Sequence, residues 1–189
     1  MKKILFAFTS VFLALCSGCS WLGTPEAVEP RTFDLGALNE KEISAPPVEF
    51  RSFSDISGNG MRIALRRGDG SVTFEKNSRF SAPPAQLIRR RLTELFPVKS
   101  GSAPFIRVSG TVSRFEIDRK NNEALLLIDY ELRLGDESKG VRHRITSKVE
   151  QGTDAAALAL EKCVVGSARR LAGETGVFVK ECAKAKVNK

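Results

Sequence analysis

The sequence predicts an α+β fold: a mostly antiparallel sheet with two helices packed on one face. Three observations lead there. Apolar residues alternate with polar ones in short runs within 48–76 and again within 105–149, with turn residues between the runs. Two other segments carry apolar residues at helical spacing instead: Leu87, Ile88, Leu92, Leu95 and Phe96, then Leu160, Val164, Ala168 and Leu171. The order is therefore strands, helix, three long strands, helix, which suits two helices covering one side of a sheet. With 189 residues, 42% hydrophobic and 28% charged, the chain has room for one globular domain. That composition argues against wholesale disorder and against a polytopic membrane protein.

The first segment reads as an address and not as fold. Lys2 and Lys3 precede an apolar run from Ile4 to Leu15, too short for a comfortable permanent span. Ser17 and Gly18 then lead to Cys19, which resembles a bacterial lipobox with its small residue before the modified cysteine. Cys16 stands where that pattern usually has Leu, and the rival site at Cys16 follows the bulky Leu15. Cleavage after Gly18 and lipidation of Cys19 are expected, with an ordinary secretory signal as the alternative. Residues 1–18 are then a signal peptide, 19–30 the lipidated cysteine and a tether, 31–182 one domain, and 183–189 a basic tail. The tether SWLGTPEAVEP has two prolines and no sustained period, and eleven extended residues reach at most ~35–40 Å. Trp21 and Leu22 suit the membrane interface.

Along the domain, RTFDL (31–35) makes a short first strand, and 40–47 a polar loop closed by Pro46 and Pro47. VEFRSF (48–53) alternates strictly. A loop at Gly58-Asn59-Gly60 follows, then MRIALR (61–66), a Gly68-Asp69-Gly70 turn and the return strand VTFEK (72–76). Ala82-Pro83-Pro84 opens the first helix and Pro97 ends it. Arg89 and Arg90 fall on its outer face, and Arg91 borders its apolar stripe. Strand 105–118 changes phase, with Ile106, Val108 and Val112 in one phase and Phe115 and Ile117 in the other. A bulge near Ser113 accounts for that. Asn121-Asn122 turns the chain into 124–134, and 136–140 turns it into a third strand through Val149; the three form a meander. Thr153 or Asp154 caps a final helix from Ala155 to Ala172, stopped by Gly173 and Gly176. Residues 177–179 then make a short strand, and the tail frays.

The chemistry within reach is narrow. His143 is the only histidine, which rules out multi-histidine metal sites, and its phase with Val141 and Ile145 reads as a half-buried or edge position. Asp129 and Glu131 share a strand face and could do acid–base work, but charges alternating on a wet face explain them better. No nucleophile elbow and no Gly-rich loop between strand and helix is present. No catalytic residue, metal or cofactor is therefore expected beyond the lipid on Cys19. The net charge is +8, and Arg89, Arg90 and Arg91 form a cluster. Solvation is the plain reading of that cluster; with an anchor present, the functional one is lipid headgroups or an acidic partner, and not nucleic acid. Cys163 and Cys182 remain after cleavage in an oxidising compartment. If the helix stops at Gly173, an extended return strand brings Cys182 back to Cys163, so a disulfide is expected. The alternative is two free, buried thiols.

The layout resembles the ABC-type transport auxiliary lipoproteins, including the PqiC-type proteins, over Arg31 to Ala172. The matching features are the lipobox, FDLG (33–36), VEFRSF, the aromatic before the helix in SRFSAPPAQLIRRRLTELF (78–96), the strands IRVSGTVSRFEID, ALLLIDYELRL and VRHRITSKVE, and an Ala-rich closing helix. Phe80 stands where members often have Trp, and a Pro-x-Tyr-Leu-like stretch near 53–60 is absent. The resemblance implies a non-enzymatic accessory subunit of an Mce-type lipid transport system. Its partner would be a periplasmic MCE-domain protein of an ABC transporter, with a homo-oligomer left open. Ser20 is not the Asp associated with inner-membrane retention, which favours the periplasmic leaflet of the outer membrane. The other reading is a structural assembly lipoprotein of another envelope machine, LptE-like or a secretion-system component. An anchored hydrolase is disfavoured by the missing constellation.

Overall fold

The computed structural model describes residues 29–96, 106–151 and 154–187. The signal segment, Cys19 and the tether up to residue 28 lie outside the described residues, as do Pro97, Thr153 and the last two residues of the tail. Among the described residues seven strands and two helices follow one another as β1 (Arg31–Phe33), β2 (Val48–Asp55), β3 (Arg62–Arg66), β4 (Val72–Phe80), α1 (Pro84–Leu95), β5 (Ile106–Asp118), β6 (Glu123–Leu134), β7 (Glu137–Lys148) and α2 (Ala155–Val187). They make one sheet in the order β1-β4-β3-β5-β6-β7, with β2 beside β5 and off that path.

The α+β class holds, but the sheet is mixed and not mostly antiparallel. β1–β4, β2–β5 and β3–β5 pair parallel, while β3–β4, β5–β6 and β6–β7 pair antiparallel. The reason lies in connectivity. After β4 the helix α1 carries the chain back, so β5 starts level with β2 and runs the same way. Parallel neighbours need such a crossover. Strict alternation in the sequence reports one covered and one wet face; it carries no information on strand direction.

β2 and β3 share one side of β5. β2 lies against residues 106–112 and β3 against 116–118, so together they act as one interrupted strand. The interruption is the loop in which Gly58 and Gly60 take positive φ. The phase change in β5 is the bulge expected near Ser113: the β6 register slips between Val112 and Arg114, and Val112 and Phe115 both end fully buried. Asn122 takes positive φ at the β5–β6 turn, which an asparagine tolerates. Gly70 does the same in the β3–β4 hairpin, where its N–H donates to the Arg67 carbonyl.

Both helices pack on one face, over Phe80, Phe115, Leu126, Ile128 and Leu132. Phe80 and Phe115 stack at 5.4 Å. α1 begins at Pro84, where a missing N–H costs nothing. α2 corrects the sequence reading. It runs 33 residues, straight through Gly173 and Gly176 and through residues 177–179, leaving neither a stop nor a return strand. The buried stripe Leu160, Val164, Ala168, Leu171, Thr175, Phe178, Cys182 keeps helical spacing across both glycines. Each glycine costs roughly 1 kcal/mol against alanine, and burial of Phe178 alone offsets that, at roughly 1.5–3 kcal/mol. The described part of the tail, 183–187, is accordingly helical where fraying was expected.

The expected Cys163–Cys182 disulfide falls with that correction. Nineteen residues of one helix separate the two sulfurs by about 28 Å, against the ~4–7 Å between Cα atoms that a disulfide needs. Both are free, buried thiols. Burial pushes the Cys163 thiol up to about 12, and its Sγ contacts the Ala124 carbonyl at 3.6 Å. The bond held in the sequence reading only if the helix ended at Gly173.

Candidate functional site

β2 pairs with β5 and, among the described residues, with nothing on its other side. A long strand with one free edge is a ready template for another chain. In β2 that edge is not covered by α1; the helix lies alongside and leaves a groove of about 810 Å³ between them. Ser52, Phe53, Ala82, Ala85, Arg89 and Thr93 are among its walls. The helical residues follow the spacing of one α1 face, so the groove runs along the helix.

Its floor depends on a close approach. The β2–β5 register shifts between Phe50 and Phe53, and the shift lays the Phe53 ring on Gly110. A Cβ at Gly110 would sit 2.6 Å from that ring, so only glycine fits. Phe53 meets Phe50 edge-on at 6.1 Å and Tyr130 at 6.2 Å, and Phe50 meets Phe96 at 5.5 Å. These aromatics tie the groove to the core.

The three clustered arginines divide. Arg89 is exposed and lines the groove without an ion-pair partner among the described residues. Arg90 also lines it and pairs with Asp34. Arg91 does not belong to a contact surface. It is buried, with Nη1 donating to Glu94 Oε2 at 3.0 Å, Nη2 donating to the Leu38 carbonyl at 2.6 Å, and Glu161 Oε1 at 3.2 Å. Glu161, itself only 1% exposed, also accepts the backbone N–H groups of Ala37 and Leu38 at 3.0 and 3.1 Å. One buried pair therefore joins α1, α2 and the segment between β1 and β2. Arg91 is corrected from a headgroup contact to an internal tie, because position 91 falls on the α1 face turned toward α2.

The wet face of the sheet holds its charges in pairs. Arg142 donates to both Asp129 oxygens at 2.5 and 3.2 Å, and Arg133 holds Glu131 at 2.7 Å. Each of the two carboxylates is thus occupied by a guanidinium. Glu116 is buried on the same face; burial alone would raise its carboxyl, but hydrogen bonds from Arg66 and Arg114 outweigh that and hold it below the usual range. Arg62 stacks on the Phe74 ring at 3.6 Å.

His143 is buried against α2 and not half-exposed. Its Nδ1 lies 3.0 Å from Ser167 Oγ, which is 2.9 Å from the Tyr130 hydroxyl, and its ring meets Tyr130 at 5.1 Å. Burial lowers its pKa, further lowered by Arg170 and partly countered by Glu174. Burial likewise raises the Tyr130 hydroxyl. The trio fastens α2 to β6 and β7 inside the core. Among the described residues no cluster of three metal-ligating side chains occurs, and no helix is long and apolar enough to cross a membrane.

Sequence reading missed Glu161, Ser167 and the Gly110–Phe53 approach. Glu161 had a signal: a charge inside the apolar run AAALALEKCVV. The Gly110 contact had none, because it joins residues far apart in the chain through an irregular register.

A mixed sheet with two helices on one face defines a domain of the α+β class. Residues 59–172 match the family described as the ABC-type transport auxiliary lipoprotein component. That match spans more than half the chain, and this protein belongs to that family. Among solved structures, an uncharacterised protein is similar at 12% identity, with a TM-score of 0.61, over 77% of this chain and 98% of its own. A Xanthomonas campestris protein of the DUF330 family is similar at 15% identity, with a TM-score of 0.58, over 81% and 99%. At those identities the likeness is one of fold. Among curated proteins no relative matches.

Proposed function

We propose that this protein is a lipid-anchored, non-enzymatic docking subunit of an Mce-type ABC lipid transport system. Cys19 carries the lipid, and the periplasmic leaflet of the outer membrane is its site. The observation that carries this reading is the family match over residues 59–172. Three further features support it. Gly18-Cys19 has the small residue that lipoprotein processing requires, and Ser20 is not a retention Asp. Asp129 and Glu131 are each taken by an arginine, and His143 is enclosed, which suits docking better than turnover. The groove beside β2 offers a surface for a partner, and the MCE-domain protein is the partner proposed.

The anchor gives the first test. Cys19→Ala should incorporate no labelled palmitate and should lose envelope protection, while the domain stays folded and abundant. The sheet and two helices build a core from residues between Phe33 and Cys182. Labelling that persists in Cys19→Ala and vanishes in Cys16→Ala would move the anchor. Full protection by an unlipidated, abundant chain would remove anchored docking altogether.

A further inference from the structure

The free edge of β2 has a direction and a chemistry. The Ile106 N–H donates to the Pro47 carbonyl at 3.0 Å, and the Ile56 N–H donates to the Val112 carbonyl at 2.9 Å. Residues 47 and 56 therefore turn toward β5. Strand alternation then turns the backbone N–H and C=O of Val48 and Phe50 outward, and, beyond the register shift, those of Phe53 and Asp55. A chain laid along this edge meets unpaired backbone groups on one side. Its side chains point alternately to the two faces of the sheet. On the helix face they enter the groove with Phe53, Ala85 and Arg89. On the other face a hollow of about 550 Å³ lies inward of the edge, over β2, β5 and β6, where Arg51 pairs with Glu49 and Arg133 with Glu131. Ser52 borders both hollows.

We propose that β2 and α1 form a strand-addition site for an extended, acidic segment of the partner polypeptide. Main-chain hydrogen bonds to β2 supply affinity, the groove supplies selectivity for the side chains that face it, and Arg89 meets a carboxylate of the segment. The inference rests on the docking role proposed above and names the chemistry of what docks. Charge decides the occupant. Among the described residues Arg89 has no ion-pair partner, while the groove's other charged residues, Arg90 and Glu94, pair with Asp34 and Arg91; without Lys2 and Lys3 of the signal segment the net charge is still +6. A second copy fits badly. Pairing β2 with its own copy about a two-fold axis puts both α1 helices on the same face of the joined sheet. Arg89 would then confront the copy's Arg89 across the seam.

The test is site-specific photo-crosslinking of the full lipidated chain in its own cells. A photoreactive residue replaces Ser52, Gln86 or, as a control on the opposite edge of the sheet, Arg144; the crosslinked peptides are then sequenced. The expected result is one acidic segment of another polypeptide captured from both Ser52 and Gln86 and not from Arg144. Arg89→Glu should cut that yield at least tenfold, and Arg89→Lys should keep most of it. A synthetic peptide of the captured sequence should slow amide exchange at Phe50 and Phe53. Capture of this chain itself, of lipid alone or of a non-acidic segment would overturn the proposal. So would yields at the groove no higher than at Arg144, or a bound peptide that leaves the two amides unprotected. An acidic segment from a protein outside any ABC transport system would keep the strand-addition site and defeat the transport role. A transport subunit captured only at Arg144 would do the reverse.

Discussion

Glu161→Ala should destabilise the domain by about 3–5 kcal/mol, the scale on which breaking a buried ion pair acts. The carboxylate is 1% exposed and serves three donors: the Arg91 guanidinium and the N–H groups of Ala37 and Leu38. Its removal leaves the buried Arg91 cation with only the half-exposed Glu94 as an ion partner, and two backbone donors without an acceptor. For a domain of this size the melting temperature should fall by roughly 6–20 °C. Arg91→Ala should act on a similar scale, since it strands the carboxylate. The double variant Glu161→Leu, Arg91→Met is the sharper case. Replacing a buried pair with apolar side chains is often neutral, yet here the Ala37 and Leu38 donors remain unserved. The double variant should therefore recover only part of the loss. Thermal and urea unfolding measure all three; full recovery in the double variant would mean that the carboxylate does not hold the segment between β1 and β2.

Gly110→Ala should cost about 1–3 kcal/mol, the price of overpacking a fitted contact. The new methyl would stand 2.6 Å from the Phe53 ring, which must then leave its place against Tyr130 and Phe50. The same substitution in a Phe53→Ala background should cost nothing or even stabilise, because alanine loses less backbone freedom than glycine on folding. Denaturant unfolding of the four proteins closes the cycle. An equal cost in both backgrounds would show that Phe53 is not what confines position 110. Because Phe53 is a wall of the groove, Gly110→Ala should also weaken partner capture from Ser52.

What could be read in the sequence was whatever local pattern encodes. The period-two runs located β2 to β7, the phase change placed the bulge at Ser113, and Pro83-Pro84 marked the start of α1. What could not be read depends on tertiary context. Gly173 and Gly176 looked like stops because local propensity disfavours them, whereas the stripe from Leu171 through Thr175, Phe178 and Cys182 had already continued past them. At those glycines the buried stripe overrides local propensity, and it sets both the length of α2 and the separation of the two cysteines. Strand direction had no local signature, so the parallel neighbours of β5 went unseen. The arginine cluster was found, but only packing separates Arg89 on the groove from Arg91 inside the core. The free edge of β2 is likewise a property of topology, invisible in VEFRSF itself.

The docking role meets its most direct test in the proteins that purify with the lipidated chain from crosslinked envelopes, quantified by mass spectrometry. The MCE-domain protein and its ABC transporter should be enriched with the wild-type chain and depleted with Arg89→Glu at equal abundance. Enrichment of an outer-membrane barrel or a secretion assembly instead, with no transporter subunit above background, would contradict it.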